Sequence, residues 1–200
     1  INDAYYQVFK DSQFKNFNNV LVLEDDVLFD YRIKDQNIIN DIKNLYKYHD
    51  VDMFNFGPFN YLLNPIIPKK RRFNCYKLLQ ASGVHAVIYS LKFKNKYIKS
   101  YESKKRKSTF DEDINFFKYG NIYTYKFQIA YQPIELTENM KNWKLLNWNA
   151  SNFSIKILKL FDILENKDPI KAYNKFFKLV KIVNYIFICI ILFILYKIYY

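Results

Sequence analysis

The sequence predicts an α/β protein: a mixed, mainly parallel sheet flanked by helices, followed by a carboxyl-terminal membrane helix. Three observations carry that reading. Val20-Leu21-Val22-Leu23 is a strand-like apolar run that ends in three consecutive carboxylates, Glu24, Asp25 and Asp26. Residues 34–131 alternate helical and strand patterns, with turn signals between them. Tyr185 to Tyr196 is uninterrupted apolar sequence. The expected organisation is an α/β domain over residues 1–150, an amphipathic helix and connector over 151–168, and a basic flank with its membrane helix over 169–200.

Four β-branched or leucine residues in a row read as a strand covered on both faces, and such a strand does not tolerate unpaired charge within its packing layer. The acids therefore belong at its exit, where α/β sheets bind ligands. Side chains at i and i+2 of a strand point the same way, so Glu24 and Asp26 are expected to share one divalent cation while Asp25 faces elsewhere. Magnesium and manganese suit oxygen ligands of this kind, commonly one or two carboxylates plus substrate phosphates. The competing reading is that the acids cap a turn or pair with the chain's many lysines.

Ile38, Ile39, Ile42, Leu45 and Tyr46 recur at helical spacing, which predicts an amphipathic helix over about Lys34 to Tyr48. It links the acidic strand to a second strand at Met53–Phe56, a crossover that implies a parallel sheet. Gly57-Pro58 ends that strand, and Asn60 to Asn74 reads as a long loop. A strand at Val84–Tyr89 and a helix at about Leu91–Tyr101 follow. Thr109-x-x-Glu112 is a capping-box pattern for a short helix closed by Gly120. Ile122 to Tyr131 alternates as another strand, and Phe153, Ile157, Leu160, Phe161 and Leu164 mark an amphipathic helix entered through Ser151-Asn152.

With 50% hydrophobic and 20% aromatic residues, 200 residues suffice for a real core. The net charge of +12 gathers in Lys69-Lys70-Arg71-Arg72, in Lys104-Lys105-Arg106-Lys107 and before the carboxyl terminus. Such clusters suit phosphate groups, anionic lipid or nucleic acid. The aromatic residues fall mostly in apolar periodic segments, where core packing claims them, so nucleic-acid binding is not expected. Cys75 and Cys189 give neither a disulfide framework nor zinc-ligand spacing.

Leu21-Val22-Leu23-Glu24-Asp25-Asp26-Val27 resembles the signature of glycosyltransferase family 25, which includes lipooligosaccharide and collagen galactosyltransferases. Val51-Asp52-Met53-Phe54-Asn55-Phe56-Gly57, Ala81-Ser82-Gly83-Val84-His85-Ala86-Val87-Ile88-Tyr89-Ser90 and Thr109-Phe110-Asp111-Glu112-Asp113-Ile114 resemble later family segments in the same order. The resemblance covers about residues 4–140. Val87 stands where the family usually has tyrosine. The family's amino-terminal strand–helix unit, which helps hold the nucleotide, has no counterpart in these residues, so a fragment of a longer domain is expected.

The resemblance implies a GT-A-like fold and transfer of a sugar from a nucleotide-sugar donor to a hydroxyl on a glycan, a lipid-linked saccharide or a protein. Mn2+ or Mg2+ on Glu24 and Asp26 would offset charge on the leaving diphosphate. Asp25, Gly83 and His85 fall on the donor side, His85 being open also to a purely structural role. Asp111 and Asp113 are candidates for the base that takes the acceptor proton, with Asp111 favoured by the family segment. Acids in a first helical turn are also favoured by the macrodipole alone. His49, at a helix end beside charged residues, reads as a surface residue.

Two other classes stay open: a membrane-attached carbohydrate-binding or interaction module without catalysis, and another metal-dependent phosphate chemistry such as phosphodiester hydrolysis. The carboxyl-terminal run reaches spanning length if Asn184 is accommodated and Lys197 snorkels. Lys171, Lys175, Lys178 and Lys181 precede it, which predicts a single-pass protein with its globular domain in the cytosol.

Overall fold

The computed structural model describes residues 2–58, 61–63, 73–81, 83–103, 120–131, 156, 159–160 and 168–199. The chain forms two compact units, Ile1–Ala130 and Tyr131–Tyr200. Asp111 and Asp113, the capping-box helix and most of the helix expected over 151–168 lie outside the described residues.

The first unit contains helices α1 (Asn2–Phe14), α2 (Gln36–Tyr48) and α3 (Leu91–Glu102). Its strands are β1 (Asn19–Leu23), β2 (Leu28–Phe29), β3 (Met53–Asn55), β4 (Tyr61–Leu63), β5 (Cys75–Ala81), β6 (Ala86–Ser90) and β7 (Ile122–Tyr125). Six of them form one sheet in the order β1-β6-β3-β7-β5-β4. Helices cover both faces. Phe9 of α1 meets Tyr89 of β6 and Phe93 and Tyr97 of α3 edge-on, at 5.1–6.0 Å between ring centroids. On the other face Ile38 and Leu45 of α2 join Phe54, Ala86, Tyr123 and Tyr125 in one buried hydrophobic cluster.

Local chemistry explains the helix starts. The Asp35 carboxylate accepts from the Asn37 amide at 2.9 Å to cap α2, and Ser90 Oγ accepts from the Phe93 amide at 3.2 Å to cap α3. Between α1 and β1 the turn is held by a buried amine: Lys94 Nζ donates to Ser12 Oγ at 2.8 Å and to the Phe17 carbonyl at 2.5 Å. Burial holds that amine below its ordinary pKa.

The sheet is mixed, but not mainly parallel. Among its described pairings only β3–β7 is parallel; β1–β6, β6–β3, β7–β5 and β5–β4 are antiparallel. The crossover through α2 does join two strands of the same direction, as expected. However, β6 runs back between them, and a crossover fixes direction without fixing adjacency.

Three other expectations are revised. β1 ends the six-stranded order and is not covered on both faces: Leu21 and Leu23 are 51% and 46% exposed. An apolar run cannot announce whether it lies at an edge. The loop expected over 60–74 contains β4, and the strand expected over 122–131 breaks after Tyr125, where the chain bends at Lys126 and Phe127. α1 and β5 were not anticipated, although Tyr5, Val8 and Phe9 do recur at helical spacing in α1; Cys75–Ala81 carries no clean apolar period.

The second unit is described mainly through α4 (Pro169–Tyr199). The Asp168 carboxylate caps it, accepting from the amides of Ile170 at 3.1 Å and Lys171 at 3.2 Å. Tyr173 is buried with its ring edge-on to Tyr131 at 5.5 Å. Ile170–Tyr199 is long and apolar enough to cross a membrane, and most of its apolar side chains beyond Lys181 are exposed. Asn184 is buried and donates to the Val180 carbonyl at 2.8 Å, so its amide is satisfied by its own helix.

Candidate functional site

β1 and β3 run in the same direction, so both end at the edge where β6 begins. That edge gathers most of the residues singled out by sequence. The Glu24 amide donates to the His85 carbonyl at 2.9 Å, extending the β1–β6 pairing by one residue. The chain then turns: the Val27 amide donates to the Glu24 carbonyl at 3.3 Å, closing a β-turn over Glu24-Asp25-Asp26-Val27.

This turn changes the geometry expected of the acids. Strand alternation stops at Leu23, so the i, i+2 rule no longer places Glu24 and Asp26 on one face. Glu24 is half-buried at the root of the turn, whereas Asp25 and Asp26 are exposed on it. The structure therefore presents a short acidic tip backed by the sheet edge.

His85 lies directly behind it, fully buried. Burial pulls the imidazole below its ordinary pKa, while the Ala130 carbonyl and the negative charge of Asp26 partly oppose the shift. Asp26 is thus close enough to His85 to be felt electrostatically. At neutral pH the ring is the uncharged form, able to donate at one nitrogen and accept at the other.

Gly83 approaches β6 with a φ of +79°, a left-handed conformation that suits glycine. Its carbonyl accepts from Asn55 Nδ2 at 2.6 Å, and Asn55 Oδ1 accepts from the Gly57 amide at 2.9 Å. A single buried amide side chain therefore fixes both the Gly83 loop and the exit from β3. Gly57 in turn sits where no side chain fits. A Cβ there would stand 1.9 Å from the Ala130 carbonyl oxygen and 3.0 Å from His85 Nε2.

Residues 127–130 close the back of this edge. The amides of Ile129 and Ala130 donate to the Phe56 carbonyl at 2.9 and 3.2 Å, and Gln128 Nε2 donates to the Pro58 carbonyl at 2.9 Å. Beyond the acidic turn, buried Asp30 accepts from Arg32 Nε at 2.8 Å and Nη2 at 2.6 Å, and the guanidinium lies 4.1 Å from the Phe127 ring centre. The Asp30 amide donates to the Ile129 carbonyl at 2.8 Å, which ties that pair to the same segment.

Glu24, Asp25, Asp26, Gly83 and His85 are thus brought to one edge. Asn55, Gly57 and Gln128 were not singled out as site residues. Asn55 did leave a signal: it is the polar residue in the apolar strand Met53-Phe54-Asn55-Phe56, two positions before a glycine. Gln128 left none.

Among the described residues, no group of three or more His, Cys, Asp or Glu side chains converges as a metal cage. A magnesium-type ion needs only one or two carboxylates beside water and substrate phosphate, a demand that half-buried Glu24 and exposed Asp25 and Asp26 could meet without a cage. His85 supports the turn through its backbone carbonyl, and its buried ring is partnered by the Ala130 backbone.

No protein-family model matches the chain, and no curated protein matches it.

Proposed function

We propose that this chain is a glycosyltransferase domain that moves a sugar from a nucleotide-sugar donor to a hydroxyl of a glycan, lipid or protein, and that α4 attaches it to a membrane with the sheet on the cytosolic side. The observation that carries the reading is the acidic turn Glu24–Asp26 at the shared exit of β1 and β3, backed by His85 and by the Asn55-held Gly83 loop. Such an edge is where α/β sheets take phosphate-bearing ligands.

Glu24 and Asp26, the pair assigned by the motif resemblance and no longer by strand alternation, would hold Mn2+ or Mg2+, which would supply charge neutralisation at the donor diphosphate. Asp25, projecting from the same turn, is assigned to the donor ribose or sugar. Gly83 keeps the loop beside the turn free of a side chain, and His85 fixes the turn from behind. Asp111 is assigned as the base that takes the acceptor proton, with Asp113 as its neighbour in the same segment. The motif resemblance supports that assignment and no described geometry bears on it.

Calorimetry with the full chain in detergent tests the donor site, using a panel of nucleoside diphosphates with and without Mn2+. Metal-dependent binding is expected, and Asp26→Asn should abolish it without altering the unfolding midpoint. Equal metal-dependent affinity in the variant would overturn the assignment. For Asp111→Asn, the transfer rate at saturating donor should fall while donor affinity holds, because the loss lies in the transition state.

A further inference from the structure

The first turns of α4 have two faces. Ala172, Tyr173, Phe176 and Phe177 are buried, while Lys171, Lys175 and Lys178 are exposed and Lys181 is half-exposed. Their spacing of three and four residues sets the lysines in one row along the helix. Past Lys181 the character changes, and Ile182, Val183, Tyr185, Ile186 and Phe187 are all exposed. A row of positive charge therefore runs directly into the apolar segment.

Distance along the axis decides which lysines can feel a bilayer surface. At a rise of about 1.5 Å per residue, Lys181 stands roughly 1.5 Å before Ile182, Lys178 roughly 6 Å, Lys175 roughly 10 Å and Lys171 roughly 16 Å. Screening at physiological salt acts over about 8 Å. Lys181 and Lys178 lie within that range, Lys175 at its limit and Lys171 outside it.

We infer that Lys175, Lys178 and Lys181 form a basic collar that gathers anionic phospholipid headgroups in the leaflet on the globular side. The inference rests on the reading that α4 spans the bilayer, and it adds a lipid preference to it. Juxtamembrane lysines act on anionic leaflets in this way, each contributing about fivefold to partitioning when near the surface.

The test uses the full chain in vesicles of phosphatidylcholine with a minority of phosphatidylglycerol, extracted in mild detergent, with the retained lipid quantified by mass spectrometry. Phosphatidylglycerol should be enriched over the bulk ratio, less so at high salt. The K178Q/K181Q variant should lose about fivefold or more of that enrichment, while K171Q should keep it. Retained lipid at the bulk ratio in the parent chain, or undiminished enrichment in K178Q/K181Q, would overturn the collar. Carbonate extraction of the same vesicles reports the span separately. Release into the supernatant sinks the span and the collar with it, whereas a carbonate-resistant chain with lipid at the bulk ratio sinks the collar alone.

Discussion

The side-chain amide of Asn55 donates to the Gly83 carbonyl at 2.6 Å, so the end of β3 holds the loop that leads into β6. Its oxygen simultaneously accepts from the Gly57 amide. Asn55→Ala removes both bonds and leaves a buried carbonyl and a buried amide without that partner, at a cost of about 2–4 kcal/mol. Asn55→Asp keeps the acceptor for Gly57 but sets a carboxylate against the Gly83 carbonyl. Urea unfolding should therefore find both variants destabilised, and amide exchange should show Gly57 protected in the Asp variant and unprotected in the Ala variant. Near-parental stability of Asn55→Ala would contradict this role.

Gly57→Ala tests the tightness of the same edge. The added methyl would fall 1.9 Å from the Ala130 carbonyl oxygen, a backbone atom that cannot rotate away. Overpacking of this kind costs about 1–3 kcal/mol or more. Because His85 Nε2 is the next nearest neighbour, the imidazole resonances should shift as well, which NMR can follow. A variant with unchanged midpoint and unchanged His85 signals would mean that residues 127–130 do not close against β3.

The pH dependence follows from His85. Its folded-state pKa lies below the ordinary value of 6.5, chiefly through burial. The unfolded chain therefore binds the proton more readily, and the stabilisation from a neutral buried ring is complete above about pH 6.5 and lost as pH falls through the folded-state value. Thermal unfolding should show a midpoint that declines from pH 7.5 toward pH 5. His85→Gln should flatten that slope relative to the parent. An identical slope in the variant would place the acid sensitivity elsewhere.

How much of this was legible in the sequence depends on what each signal encodes. α2 was readable because Ile38, Ile42 and Leu45 mark one helical face, and two of the three are buried there. The exit of β1 does fall just before Glu24, but not for the reason expected, since Leu21 and Leu23 are exposed and the strand is not packed on both faces. The pairing order was not readable, since β6 enters between β1 and β3 by contacts distant in sequence. For the same reason Leu21 and Leu23 gave no warning of an edge. The turn at Glu24–Val27 is the competing reading of the acids, signalled by the turn-forming Asp25 and Asp26, and strand alternation does not extend past Leu23. Gln128 became visible only through its bond to the Pro58 carbonyl, 70 residues away in sequence.

The last prediction concerns α4. Lys181 and Lys197 are sixteen residues apart, about 24 Å along a helix, which is short of a hydrocarbon core of about 30 Å. Both lysines must then snorkel toward the headgroups for the segment to span. Asn184 does not oppose this, because its amide is bonded within the helix. The six-stranded sheet and its core lie entirely within Ile1–Ala130, so a chain ending at Lys167 should keep them folded while losing the apolar segment. Sedimentation should find that shortened chain in the soluble fraction without detergent, with the far-ultraviolet signature of an α/β sheet and the same pH slope as the full chain. Continued pelleting with membranes would locate the attachment outside α4.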